Sequence, residues 1–190
     1  MGAVEDRFGN GLAVTRDQVL VASYLEDTTG AASFYDLDTG APGVTLVATE
    51  PSENDGFGYR VAASRRLVAV ASGSPAAVWV YDGARRLRGS IDLCGWTISL
   101  AMRGRRIAAA SACSIVVADW PRRQWTLERP AGVTGEYLGG AVALDGRRLF
   151  LGSPGFAPAA GAPDRVLALD AVLVGGSDWS GIGLVGVWAR

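Results

Sequence analysis

Four serines recur along this 190-residue chain in matching surroundings. Ser23, Ser72, Ser111 and Ser153 each close a short apolar run, and each follows a small residue, Ala22, Ala71, Ala110 or Gly152. A repeated serine could act as a nucleophile only with a base to take its proton. The sequence has no histidine, and all 18 of its basic residues are arginines. That excludes His-based general bases and triads, most catalytic zinc sites, Schiff-base chemistry and the phosphate-loop lysine. The serines are therefore expected to be structural. Arginine without lysine, beside abundant Ala, Gly and Val, reads as GC-rich coding rather than selection for arginine chemistry.

Asp36, Asp82, Asp119 and Asp170 also recur, each at the end of an apolar run. They could form a ring of ligands, but aspartate at a strand end bonds its own backbone, and a turn-stabilising role is expected. Cys94 and Cys113 are the two cysteines. Two thiols without histidine make a poor metal site. A disulfide and two buried free thiols are both compatible with their spacing.

These residues recur because the chain repeats. A bulky apolar residue precedes each serine by fifteen positions: Phe8, Phe57, Trp96 and Leu138. An alanine follows five residues later in every copy: Ala13, Ala62, Ala101 and Ala143. The serine-to-serine periods are 49, 39 and 42 residues. Within each copy the pattern predicts four short strands, β-branched or aromatic and bounded by Gly, Asp, Pro and Ser. In the first copy these are 11–14, 19–23, 32–36 and 44–48. In the fourth, the last strand fits either 172–174 or 184–188. Periods of about 40 to 50 with four strands each predict propeller blades. The expected fold is all-β, a β-propeller of about four four-stranded blades in a single domain, 1–190. The blades cover approximately 5–54, 55–94, 95–135 and 136–190. Small residues in the first two strands suit the crowded inner blade. Because edges must be covered or paired, four blades are expected to close alone, to pair with a second copy, or to belong to a larger ring.

The phase of the repeat sorts the loops onto two faces. Thirteen arginines fall on one against seven aspartates, and ten acids on the other against Arg7 and Arg165. The net charge of −1 gives no global pull toward nucleic acid or anionic membrane. Solvated turns explain the basic face better than a polyanion site, and pairing of Asp82 with Arg85 or Asp119 with Arg122 would shrink its field. The acidic face combines carboxylates with aromatics, a pairing suited to sugar or peptide recognition. Its candidate binding residues are Tyr24, Glu26, Asp27, Asp55, Glu136, Tyr137 and Asp164. Trp96 and Trp179 lie at or near the same loops, with blade-to-blade packing an equal role for Trp96.

The copies resemble FG-GAP repeats, the blade unit of integrin α-chain propellers and of many bacterial surface and secreted proteins. Phe8-Gly9 and Phe57-Gly58 carry the resemblance, with Leu138-Gly139 and Trp96-Thr97 as degenerate forms. Gly152-Ser153-Pro154 and Ala77-Val78-Trp79-Val80-Tyr81 match the elements that follow. The resemblance implies a non-enzymatic binding module for a protein or glycan, extracellular or at the cell surface. It also implies calcium loops between the first two strands of a blade. Here those turns, such as Ser64-Arg65-Arg66 and Arg103-Gly104-Arg105-Arg106, are too short and basic to surround the ion, so no metal and no cofactor are expected.

An enzyme propeller of lyase or quinone-dependent dehydrogenase type is the alternative, as is a purely structural part of a larger surface protein. No nucleic-acid partner is expected. No apolar stretch reaches the roughly 20 residues of a spanning helix. Met1 to Arg7 has neither a basic n-region nor an apolar h-region, so no signal peptide is expected in this chain; this fits a cytoplasmic protein or a part of a longer secreted one.

Overall fold

The computed structural model describes residues 6–50, 55–127, 140–145, 148–152, 166–170 and 183–187. They form four four-stranded antiparallel sheets, each a meander. The first holds β1 (Gly11–Val14), β2 (Gln18–Ser23), β3 (Ala31–Asp36) and β4 (Pro42–Val47). The second holds β5 (Arg60–Ala63), β6 (Leu67–Gly73), β7 (Ala76–Asp82) and β8 (Leu87–Asp92). The third holds β9 (Thr97–Arg103), β10 (Arg106–Ser111), β11 (Ile115–Asp119) and β12 (Arg123–Leu127). The fourth holds β13 (Ala141–Asp145), β14 (Arg148–Gly152), β15 (Val166–Asp170) and β16 (Gly183–Val187). The last strand falls at the second of the two stretches the sequence offered. The third strand of every sheet ends at its repeated aspartate.

The strands form where apolar alternation meets a turn that can close. Thr15 and Ser64 occupy the same turn position in the first two sheets. Each hydroxyl accepts a backbone N–H three residues on, from Gln18 at 3.2 Å and from Leu67 at 3.2 Å. Such short side-chain-to-backbone bonds hold a tight turn without glycine.

The innermost strands β1, β5, β9 and β13 lie side by side in chain order, so the sheets stack face to face as blades around an axis. Among the described residues β13 makes no contact with β1 comparable to those between the other neighbouring inner strands. The core is a series of interblade layers. Between the first two blades it comprises Ala13, Leu20, Ala22 and Phe34 from one sheet and Phe57, Val61, Val68, Val70 and Tyr81 from the next. Equivalent layers join the second blade to the third and the third to the fourth. Full burial of a side chain such as Phe34, Phe57 or Leu20 contributes about 2–3 kcal/mol. Small residues on the inner strands let this layer close. A Cβ on Gly11 would stand 3.3 Å from Val61 of the next blade.

The Phe57-Gly58 pair shows why each blade begins as it does. Phe57 is fully buried, and its N–H donates to the Thr29 carbonyl of the preceding blade at 3.1 Å. Gly58 has φ +89°, and a Cβ there would stand 2.3 Å from the Ala31 oxygen of that blade. Only glycine permits this approach of one backbone to the next.

Cys94 and Cys113 are joined in a disulfide with Cα atoms 6.0 Å apart. It ties the entry to β9 to the loop between β10 and β11. Among the described residues, no helix is long and apolar enough to cross a membrane.

Candidate interaction surface

The repeated serines sit in the loops they close. Ser72 Oγ donates to the Pro75 carbonyl at 2.6 Å and accepts from Trp79 Nε1 at 2.9 Å. Ser111 Oγ donates to the Ser114 carbonyl at 3.0 Å and accepts from the Ser114 N–H at 3.2 Å. Ser23 is as deeply buried, but among the described residues its Oγ has no hydrogen-bond partner. Ser153 lies outside the described residues.

Two of the repeated aspartates, Asp36 and Asp82, hold their turns through their carboxylates. The Asp36 carboxylate accepts from the Thr39 hydroxyl at 2.7 Å, the Thr39 N–H at 2.8 Å and the Asp38 N–H at 3.2 Å. Those bonds, the Thr39 hydroxyl first, hold its carboxyl below the ordinary 3.8. Asp82 is lowered in the same way, chiefly by the Arg86 N–H and then that of Ala84. It also pairs loosely with Arg88, at 3.7 Å. Asp119 takes a bidentate pair from Arg106, both bonds at 2.8 Å. Arg103 pairs with Asp145 across blades. The arginine partners thus come from flanking strands. Arg85 and Arg122 instead give their backbone N–H groups to the carbonyls of Asp82 and Asp119. Arg85 stacks its guanidinium 3.7 Å from the centroid of the Phe34 ring and clamps the first two blades. Several arginines of the basic face are therefore occupied within the protein. Arg66, Arg88 and Arg105 line a groove of about 210 Å³ with Asp82, Trp120 and Pro121 between the second and third blades, where Arg105 also donates to the Trp120 carbonyl at 2.7 Å.

The opposite face carries a row of aromatic rings from three blades. Tyr24 meets Tyr59 edge-on, centroids 5.2 Å apart, and Tyr59 meets Trp96 edge-on at the same separation. Arg60 places its guanidinium 4.4 Å from the Tyr59 centroid. Trp96 is 46% exposed, although it occupies the position where Phe57 is fully buried. Its ring lies over Gly56 and Gly73, and a Cβ on Gly73 would stand 2.4 Å from it. Trp96 thus both packs between blades and presents a ring edge to solvent.

Two of the predicted acidic residues follow Tyr24 directly in the chain, and a third lies beside Gly73. Glu26 and Asp27 belong to the 3-10 turn Glu26–Thr28 that follows Tyr24, with Glu26 half-buried and Asp27 exposed. The Glu26 carbonyl accepts from Thr29 and Gly30 N–H groups and fixes the loop against Phe57. Asp55 is 2% exposed, and its carbonyl accepts from the N–H groups of Gly73 and Ser74 at 2.7 and 3.1 Å. It lines a groove of about 360 Å³ with Glu50, Ser72, Trp79 and Leu87. Tyr24, Glu26, Asp27 and Asp55 are therefore brought onto adjacent loops. Glu136, Tyr137 and Asp164 lie outside the described residues. Tyr59 is a site residue that sequence reasoning misses. It sits two residues after Phe57 in the second copy of the repeat, and that position is the available signal.

A stacked, half-exposed aromatic row flanked by carboxylates on a blade-loop face belongs to a β-propeller, and comparison with solved structures bears out that fold. The chain resembles the WD40 repeats of RRP9 with TM-score 0.66 and 13% identity, covering 89% of this chain and 52% of that one. It resembles Hsv2 of Kluyveromyces lactis with TM-score 0.58 and 9% identity, covering 92% and 48%. Glutaminyl cyclase of Myxococcus xanthus matches with TM-score 0.52 and 9% identity, covering 89% and 68%. The chain spans about half the length of the first two. No protein-family model matches the sequence, and no curated protein matches it significantly.

Proposed function

We propose that this chain is a non-catalytic β-propeller module of the FG-GAP-like kind that binds a protein partner across the face bearing Tyr24, Tyr59 and Trp96. One observation carries the reading: rings from three successive blades form a continuous half-exposed row with Glu26 and Asp27 at its end. Rigid aromatic side chains supply contact area at low entropic cost and dominate protein interfaces. The carboxylates select a partner with basic residues beside its apolar anchor. The absence of histidine and lysine weighs against chemistry in the channel. The disulfide suits an oxidising compartment, in keeping with an extracellular or cell-surface site of action.

A peptide display library panned on the immobilised chain tests this reading. Enriched peptides should be aromatic and basic, and Trp96→Ala or Tyr24→Ala should weaken them by roughly tenfold or more. Peptides that bind both variants as well as the parent chain, or enrichment only on a glycan array, would sink it.

A further inference from the structure

The two ends of the blade arc are complementary. The second blade meets the first through Phe57, Val61, Val68, Val70 and Tyr81. Repeat register places Phe8, Leu12, Val19, Val21 and Tyr35 at the same five positions of the first blade. Val21 is buried and Val19 and Tyr35 are partly buried, but among the described residues no blade packs on Phe8 and Leu12. Leu12 is 64% exposed and Phe8 55%, against 8% for Val61 and 0% for Phe57. Val14 beside them is 59% exposed. Gly9 shows the same contrast. It has φ +83°, like Gly58, yet a Cβ there would meet nothing within 4 Å, where one on Gly58 would strike the preceding blade.

The fourth blade shows the converse. Its Val142, Leu144, Leu149 and Leu151 pack on the third blade. Its other face holds Ala141 and Ala143, both exposed, and a half-buried Phe150. These are the register equivalents of Gly11, Ala13 and Leu20, the face on which the first blade receives the second.

We propose that the open face of the first blade is the docking site for the fourth blade of a second copy of this chain. The two copies close an eight-bladed ring about a two-fold axis. The occupant follows from continuity with an interface the chain already makes three times. The missing member of that interface at one end is the face left open at the other. Two arcs related by a two-fold axis make the contact twice, so no edge remains. Eight blades lie within the range that propellers adopt.

Light scattering on the eluting 190-residue chain gives the test. The parent protein should have twice the 19.7 kDa chain mass at micromolar concentration. Leu12→Arg, and separately Ala143→Glu, should each raise the dimer dissociation constant by roughly 100-fold, since each buries an unpaired charge. Far-ultraviolet circular dichroism should show each variant folded. Mixing the two variants should restore the dimer. One junction is then unaltered, and the other sets the introduced arginine of one copy against the introduced glutamate of its partner. A misfolded variant would not be rescued in this way. A parent chain of single mass at 100 µM, or a dimer that neither variant weakens, would overturn the proposal.

Discussion

Single residues fix how one blade meets the next. Gly58 is the clearest, because its φ of +89° and its 2.3 Å clearance to Ala31 leave no room for a side chain. Gly58→Ala should cost roughly 1–3 kcal/mol for the backbone conformation alone, with the clash in addition. In the dissociated chain Gly9→Ala carries the conformational part without the clash, so chemical denaturation of the two variants at dilution below the dimer dissociation constant separates the terms. Tyr81 reports the same interblade layer. Burial pushes its phenol up to about 12 from the ordinary 10. An acid whose folded value is raised keeps its full stabilising contribution below pH 10 and loses it as pH rises toward 12. The thermal midpoint should fall across that window, and Tyr81→Phe should flatten the fall. Asp36 and Asp82 act at the other end of the scale. Their lowered values mean that stability is present above about pH 4 and lost as the pH falls further. Asp36→Asn with Asp82→Asn should therefore make the acid side of the stability curve shallower. The roles of Ser72, Ser111, Asp36 and Asp82 were legible in the sequence, since a hydroxyl without a base and a carboxylate at a strand end have few other uses. The arginine partners of the aspartates were not. They are set by which side chains flank a strand in space, and turn adjacency pointed instead to Arg85 and Arg122.

At the scale of the element, the period of four strands was readable because turns and apolar alternation are local. β3, β7, β11 and β15 all end at the repeated aspartate. Ring contacts between blades are not local. Tyr59 joins Tyr24 and Trp96 only because three inner strands stack, and no spacing in the sequence announces that. The pairing of Cys94 with Cys113 was likewise open, since it depends on the entry to β9 lying against the β10–β11 loop. The disulfide closes a 19-residue separation. Reduction should lower the unfolding free energy by about 3 kcal/mol, and a Cys94→Ser, Cys113→Ser double variant should show the same loss without reductant. Denaturant curves with and without a reducing agent measure it. The loss should be local to the third blade, so amide exchange there should rise before it rises in the first.

Across the whole molecule, three copies of one interface imply a direction. The face a blade turns to the next differs from the one it turns to the previous, as Ala13, Leu20 and Phe34 meet Phe57, Val61 and Tyr81, so an arc has unlike ends. The repeat phase was enough to predict the blades and the two loop faces. It left closure open, because closure depends on whether β13 packs on β1, and among the described residues it makes no contact there comparable to those of the other inner strands. The aromatic row and the open ends lie in different parts of this arc, so binding and assembly can be separated by mutation. Trp96→Ala should leave the dimer intact, and Leu12→Arg should leave the aromatic row in place. Electron microscopy of stained particles tests the architecture most directly, because class averages count blades around the axis. The predicted result is a disc of eight blades with a central channel. Four blades closed into a single-chain ring, or particles without radial order, would contradict it.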